Sequence, residues 1–291
     1  MISRGALTLA LFATLLAATA AWANHPVLLE GNCDSPVPGT TLVGTGKCGD
    51  WDGDGRVGAA EDGDGADRIF GTIEAALGAG MSGSGINLNG TITIVTSGRF
   101  VPSSTVRIGD APSGPTNVTI EAAPGVTALF DAVLQGDPAG GNTLRQNIAG
   151  ILVDATGDDD RIVFRNLTIQ NWVEGIRVTG GARVTIDNCR FEHNLNYAVR
   201  AMGTSLVIVY ESTITDTGTR GGSGVSNFGV PGRAVSYEES ARGMVARSQI
   251  FNSKADAVTN ESSLGTSAVF HHQVVISGNG GGIVNATPIG F

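Results

Sequence analysis

The chain has 291 residues, a formal net charge of −9, only 15% charged and 5% aromatic residues, and 43 glycines. An acidic surface of this kind excludes nucleic acid and anionic lipid as default partners, because either polyanion needs a local basic patch to bind. Few aromatics, many glycines and short bursts of Val, Ile, Thr and Asn predict many short strands and tight turns in one elongated domain.

Residues 1–23 have an n-region with Arg4, a long Ala/Leu stretch and a small-x-small site at Ala21 and Ala23. That pattern predicts a secretory signal peptide cleaved after Ala23, hence a secreted protein, extracellular or periplasmic, with no membrane insertion after cleavage. Losing the leader's single arginine takes the formal charge from −9 to −10. Export also suits Cys33 and Cys48, close together where an oxidising compartment permits a bridge, whereas Cys189 is left over and expected to be buried.

The segment 24–85 reads as an N-terminal loop, a calcium-binding stretch and a capping helix. Residues 49–68 hold seven of the chain's 27 carboxylates. From Asp50, the run "DWDGDGRVGAAE" sets Asp50, Asp52 and Asp54 at positions 1, 3 and 5, Gly55 at 6, Arg56 at 7 and Glu61 at 12. Three carboxylates on alternate residues, the backbone carbonyl of Arg56 and a bidentate Glu61 can wrap one Ca²⁺ while Gly55 turns the chain. The run resembles an EF-hand or dockerin-type calcium loop, although "DGDG" directly after Glu61 leaves no room for a full exit helix. Asp62, Asp64 and Asp67 could serve a second ion. The ion is expected to be structural, ordering the stretch before "DRIFGTIEAALGAG". There Ile69, Phe70, Ile73, Ala76 and Leu77 fall on one helical face behind Asp67 as N-cap, so a short α-helix is expected to cover the open end of the core.

From residue 86 to 291 the chain repeats itself. "RIVFRNLTIQNWVEGIRVTGG" is echoed by "RVTIDNCRFEHNLNYAVRAMG", matching Phe164 to Ile186, Leu167 to Cys189, Ile169 to Phe191 and Ile176 to Val199. A third copy runs through Val209, Ser212 and Ile214, a fourth through Val245, Ser248 and Ile250, and a fifth through Phe270, Gln273 and Val275. Each copy holds three short alternating bursts, too short and too β-branched for helices. Three strands per turn of about 22 residues describe an all-β, right-handed parallel β-helix of about nine coils, right-handed by the general rule for parallel crossovers.

The order of "TIEAALGAG", "GTITIVTSGRF", "NVTIEAAPGV" and "NLTIQNWVEGIRVTGGARVTIDNCRFEHN" resembles the right-handed parallel β-helix proteins of the pectate-lyase-like superfamily. In those proteins polysaccharide lies along one sheet, which here corresponds to "GIRV", "AVRA", "AVSY", "AVTN" and "GIVN". With Ile176, Val199, Val235, Val258 and Ile283 inward, Arg177, Arg200, Ser236, Thr259 and Val284 form an outward ladder. Arg177 and Arg200 then make a cationic spot for carboxylate or sulfate, unless Glu174 neutralises them. An insertion of about 13 residues after Ile214 could wall a cleft with Arg220, Asn227, Phe228 and Arg233, and Trp172 either stacks on a sugar or covers a corner. The substrate-binding candidates are therefore Trp172, Glu174, Arg177, Arg200, Phe228 and Arg233.

Motifs for catalysis are sparse. Arg177 or Arg200 is the candidate base of a lyase, but no aspartate cluster flanks them to hold calcium against substrate. Glu238 and Glu261, at matching positions of adjacent coils, are the one carboxylate pair that suggests a glycosidase, and a rim role fits them better. Neighbouring His271 and His272 point to opposite faces and do not share a metal. The expectation is a secreted, calcium-stabilised β-helix that binds extracellular or cell-surface polysaccharide. The alternatives are a lyase acting on uronate-containing glycan, and a structural or adhesin-type surface protein that self-associates through its C-terminal coil.

Overall fold

Local sequence makes each coil. In "RIVFR" and "RVTID" alternate residues are apolar, so one side of each strand is buried and the other faces out. The computed structural model describes residues 27–29, 68–70, 73, 77, 89–95, 97–100, 102, 105–111, 115–132, 149–218, 232–261 and 269–285. Its strands form three sheets, of nine, seven and seven strands, and every pairing between neighbours is parallel. Successive strands in the chain go to the first, second and third sheet in turn, which is the winding of a parallel β-helix. Among the described residues this makes seven complete coils, fewer than the sequence length implied, because the segments 133–148 and 219–231 lengthen two of them.

The register follows the repeat. Phe164 pairs with Ile186, Ile169 with Phe191 and Ile176 with Val199. These side chains are fully buried, and burying one such large apolar group is worth about 2–3 kcal/mol. Phe100 stacks on Phe130 of the next coil with centroids 5.7 Å apart. In the last five described coils the corner between the first and second sheets turns on a single residue with positive φ, at Asn166, Asn188, Glu211, Arg247 and Gln273. Asparagine suits that conformation best, and there Asn188 Nδ2 donates to Asn166 Oδ1 at 2.8 Å. At the next corner, Asn194 is buried and bonded at both ends of its amide: Nδ2 donates to the Ile169 carbonyl at 3.1 Å and Oδ1 accepts from the Trp172 amide at 3.1 Å.

Three expectations need correction. Ile69 and Phe70 lie in a strand, Arg68–Phe70, and Val27–Leu29 inserts between it and Asn89–Ile94 as a further rung of the first sheet. The extra rungs lengthen the first sheet and leave only Ile73 and Leu77 as described helical residues, both buried in the core. The second correction concerns the fifth repeat, which is one residue out of phase. Val245 pairs with His271 and Ile250 with Ile276, so Phe270 and Val275 face solvent with 67% and 53% exposure. A one-residue slip turns every side chain of a strand to the other face. His271, not Phe270, points inward, and burial pushes its imidazole pKa down. The third is Ile283, in register with Val258 as expected but 40% exposed, because it lies in the last described coil.

The leader (1–23), Cys33, Cys48, the proposed calcium ligands Asp50, Asp52, Asp54, Arg56 and Glu61, Asp62, Asp64 and Asp67, and the insertion residues Arg220, Asn227 and Phe228 lie outside the described residues. Cys189 is buried as expected, and burial above all pushes its thiol up to about 12. Native protein at neutral pH is therefore expected to leave Cys189 unlabelled by iodoacetamide, with labelling only on unfolding. Peptide mass spectrometry checks this; prompt labelling of Cys189 in the native protein would mean that the coil around it is open.

Candidate functional site

The third sheet was the expected face, and its strands Glu174–Val178, Tyr197–Ala201, Arg233–Glu238 and Asp256–Glu261 bring the expected residues together. Ile176, Val199, Val235 and Val258 are buried inward. Arg177 pairs with Arg200, Arg200 with Ser236, and Ser236 with Thr259, so the ladder exists in the anticipated register, but Ser236 and Thr259 are buried rather than presented outward, and only Arg177 and Arg200 are partly exposed.

The electrostatics differ from a free cationic spot. Glu174, whose side chain is 3% exposed, accepts a hydrogen bond from Arg177 Nε and another from Arg200 Nη1 at 3.2 Å. Arg200 also donates from Nη2 and Nε to Glu238, at 2.6 Å and 3.1 Å. Ser236 Oγ donates to Glu238 Oε1 at 3.1 Å, and Thr259 Oγ1 donates to Ser236 Oγ at 2.9 Å. A continuous chain thus runs Arg177, Glu174, Arg200, Glu238, Ser236, Thr259 across four coils. Burial lowers the Arg200 pKa, but the hydrogen bond and charge of Glu238 with the charge of Glu174 outweigh it, and the guanidinium is held more firmly protonated than usual. Its carbon sits 4.9 Å from the Tyr197 ring centroid, and burial followed by the Glu238 charge raises the Tyr197 phenol.

Arg233 completes the face from the first residue of its strand. Its Nη2 is 2.6 Å from Glu261 Oε1, while its buried Nε has no hydrogen-bond partner and stands 4.0 Å from Asp256 Oδ2. Glu238 and Glu261 are register partners as expected, yet each is held by a different arginine, Glu238 by Arg200 and the exposed Glu261 by Arg233. Trp172 is not a sugar platform. It is 2% exposed, its Nε1 donates to the Phe130 carbonyl at 3.3 Å, and it fits because residue 150 is glycine; a Cβ there would stand 2.8 Å from the indole.

Residues 149–286 match the family model of the right handed beta helix region. No curated protein and no solved structure matches the chain. The winding of the three sheets is accordingly that of a right-handed parallel β-helix. On this β-helix the third sheet presents ordered donors and acceptors in near charge balance. The partly exposed edges of Arg177 and Arg200 can donate hydrogen bonds to a ligand, and each of these arginines is already held by a carboxylate.

Sequence reasoning missed Tyr197 and the linking roles of Ser236 and Glu238. It also missed three arginines at the starts of first-sheet strands, in "RIVFR", "RVTID" and "RGMVA", whose recurrence at one repeat position was the available signal.

Proposed function

We propose that this chain is an exported, calcium-stabilised β-helix that binds polysaccharide outside the cell or at its surface and does not turn it over. The family match and the three parallel sheets support a polysaccharide-related β-helix protein, and the resemblance to pectate-lyase-like proteins points the same way. The observation that carries binding over catalysis is the sharing of buried Glu174 by Arg177 and Arg200. A guanidinium held this way is a positioned donor, and the lyase alternative requires the same group to give up a proton. The signal-like leader supports export, and the carboxylate spacing from Asp50 to Glu61 supports one Ca²⁺ held before the first coils.

A glycan array together with an ultraviolet assay for unsaturated uronate products, each with and without EDTA, tests this reading. Binding without absorbing products is the expected result. Turnover that disappears in Arg177→Ala or Arg200→Ala would establish the lyase instead. Titration of CaCl₂ into the EDTA-treated, secreted form is expected to release or absorb heat with about one-to-one stoichiometry and to raise the thermal midpoint. No heat and an unchanged midpoint would remove calcium from the account.

The structural or adhesin-type reading is favoured by one observation, the exposure of Phe270, Val275, Ile283 and Val284 on the last described coil. It predicts self-association that Phe270→Ser weakens, read by sedimentation velocity.

A further inference from the structure

The outer face of the first sheet carries its own ladder. Alternate residues of Arg161–Arg165, Arg183–Asp187, Leu206–Tyr210 and Arg242–Ala246 point away from the core, and the row at the strand starts runs Asn117, Arg161, Arg183, Leu206, Arg242 in register. Arg161, Arg183 and Arg242 are exposed. Every other arginine whose side chain the structure describes has a carboxylate at ion-pair distance: Arg99, Arg107, Arg165, Arg177, Arg190, Arg200, Arg233 and Arg247. The three arginines of this row have none among the described residues, although Asp158 and Asp159 stand exposed in the turn just before Arg161. In a chain of net charge −9, the arginines that lack a carboxylate partner among the described residues are thus gathered on one line.

That line has a cost and a period. Arg161 and Arg183 are direct cross-strand neighbours, about 4.8 Å apart at the backbone, and like charges placed so oppose pairing. Arg242 follows two rungs further on, at about 10 Å. Bound anions at that period remove the repulsion, and each guanidinium can grip a carboxylate or sulfate through two parallel hydrogen bonds. Beside the row runs an uncharged track of partly exposed Thr119, Val163, Thr185, Ile208 and Met244, flat enough for the face of a sugar ring. A shallow depression at the Asn117 and Arg161 end, lined also by Gly90, Thr91, Thr119 and Val163, continues the track. The far border neutralises itself, since Arg165 is held between Glu121 and Asp187 at 3.0 Å from each.

We propose that this row is a binding strip for an acidic polysaccharide running parallel to the solenoid axis, its carboxylate or sulfate groups seated on Arg161, Arg183 and Arg242. The proposal rests on the polysaccharide-binding reading and places the anionic contact on the first sheet, away from the neutralised third. Nucleic acid fits less well: among the described residues the track offers no aromatic ring on which a base could stack until Phe270.

The test is isothermal titration of the full secreted chain with polygalacturonate, dextran sulfate, unsubstituted dextran and oligo(dT). It compares wild type, the triple variant Arg161→Gln/Arg183→Gln/Arg242→Gln, and Arg190→Gln as a control on another sheet. Because the three side chains are exposed and repel one another along the row, the triple variant is expected to have a thermal midpoint at or slightly above that of wild type. Wild type and Arg190→Gln are expected to bind polygalacturonate or dextran sulfate, with affinity falling as salt rises. The triple variant should bind about tenfold more weakly and with a shallower salt dependence. Whichever of the two polymers binds tells carboxylate from sulfate. If the triple variant binds the anionic polymers as wild type does, or if wild type binds only dextran, the strip is overturned and the polysaccharide reading stands. Preference for oligo(dT) through the row also overturns it, and absence of binding to every glycan overturns both.

Discussion

Gly243→Ala is expected to unfold the coil around Arg242–Ala246 and to lower the unfolding free energy by at least about 3 kcal/mol, at the upper end of overpacking costs. Gly243 faces inward below Val207, where the two preceding coils carry Val184 and Ile162. An added Cβ would lie 1.8 Å from the Val207 carbonyl oxygen and 2.6 Å from Cε1 of Tyr237. The glycine is there because Tyr237, fully buried on the third sheet, reaches across the core and donates from its hydroxyl to the Val207 carbonyl at 3.1 Å. Burial raises the phenol's pKa well above its usual value, so it remains a donor across the accessible pH range. Tyr237→Phe, which keeps the shape and loses this bond, should cost only about 1 kcal/mol. Urea titration followed by circular dichroism reads both variants. Equal midpoints for Gly243→Ala and wild type would mean that Tyr237 does not occupy the core there.

Glu174→Ala is expected to cost about 2–3 kcal/mol, somewhat below the usual penalty for breaking a buried ion pair because both arginines retain partial contact with water. The substitution leaves Arg200 with Glu238 and removes the one ion-pair partner that Arg177 has among the described residues. Adding Arg177→Ala to Glu174→Ala should therefore restore part of the loss, a coupling that a double-mutant cycle measures. The cost should persist in high salt, since counterions screen a pair this buried only weakly. A loss that vanishes in 1 M NaCl, or a cycle with no coupling, would show that Glu174 is solvated and the chain of contacts on the third sheet is not formed.

Much of the fold was legible because its determinants are local and repeated. The pairing of Phe164 with Ile186 and of Ile176 with Val199 could be read from apolar alternation and small residues at the turns. The reading failed where periodicity has little leverage. In the last copy, "VFHHQVVISG" offers two alternating patterns one residue apart, and matching Phe270 to Val245 chose the more apolar one; the coil instead puts His271 inside and Phe270 outside. At the other end, Ile69, Phe70, Ile73 and Leu77 satisfy a helical face, but pairing with Val27–Leu29 draws the first two into a strand. Backbone partners distant in sequence override local propensity there.

The candidate site shows the same division. That Arg177 and Arg200 stack was determined by sequence alone, because strand alternation and a repeat of constant length place them on one line. Which arginines are neutralised was decided only by tertiary structure. Glu238 is 38 residues from Arg200 and Glu121 is 44 from Arg165, and such carboxylates become neighbours only when coils stack and a corner aims the side chain. Charge pairing acts through space and leaves no periodic trace along the chain. The sequence therefore determined the ladders, and the stacked coils decided that the third sheet's arginines are spoken for while Arg161, Arg183 and Arg242 on the first have no carboxylate partner among the described residues.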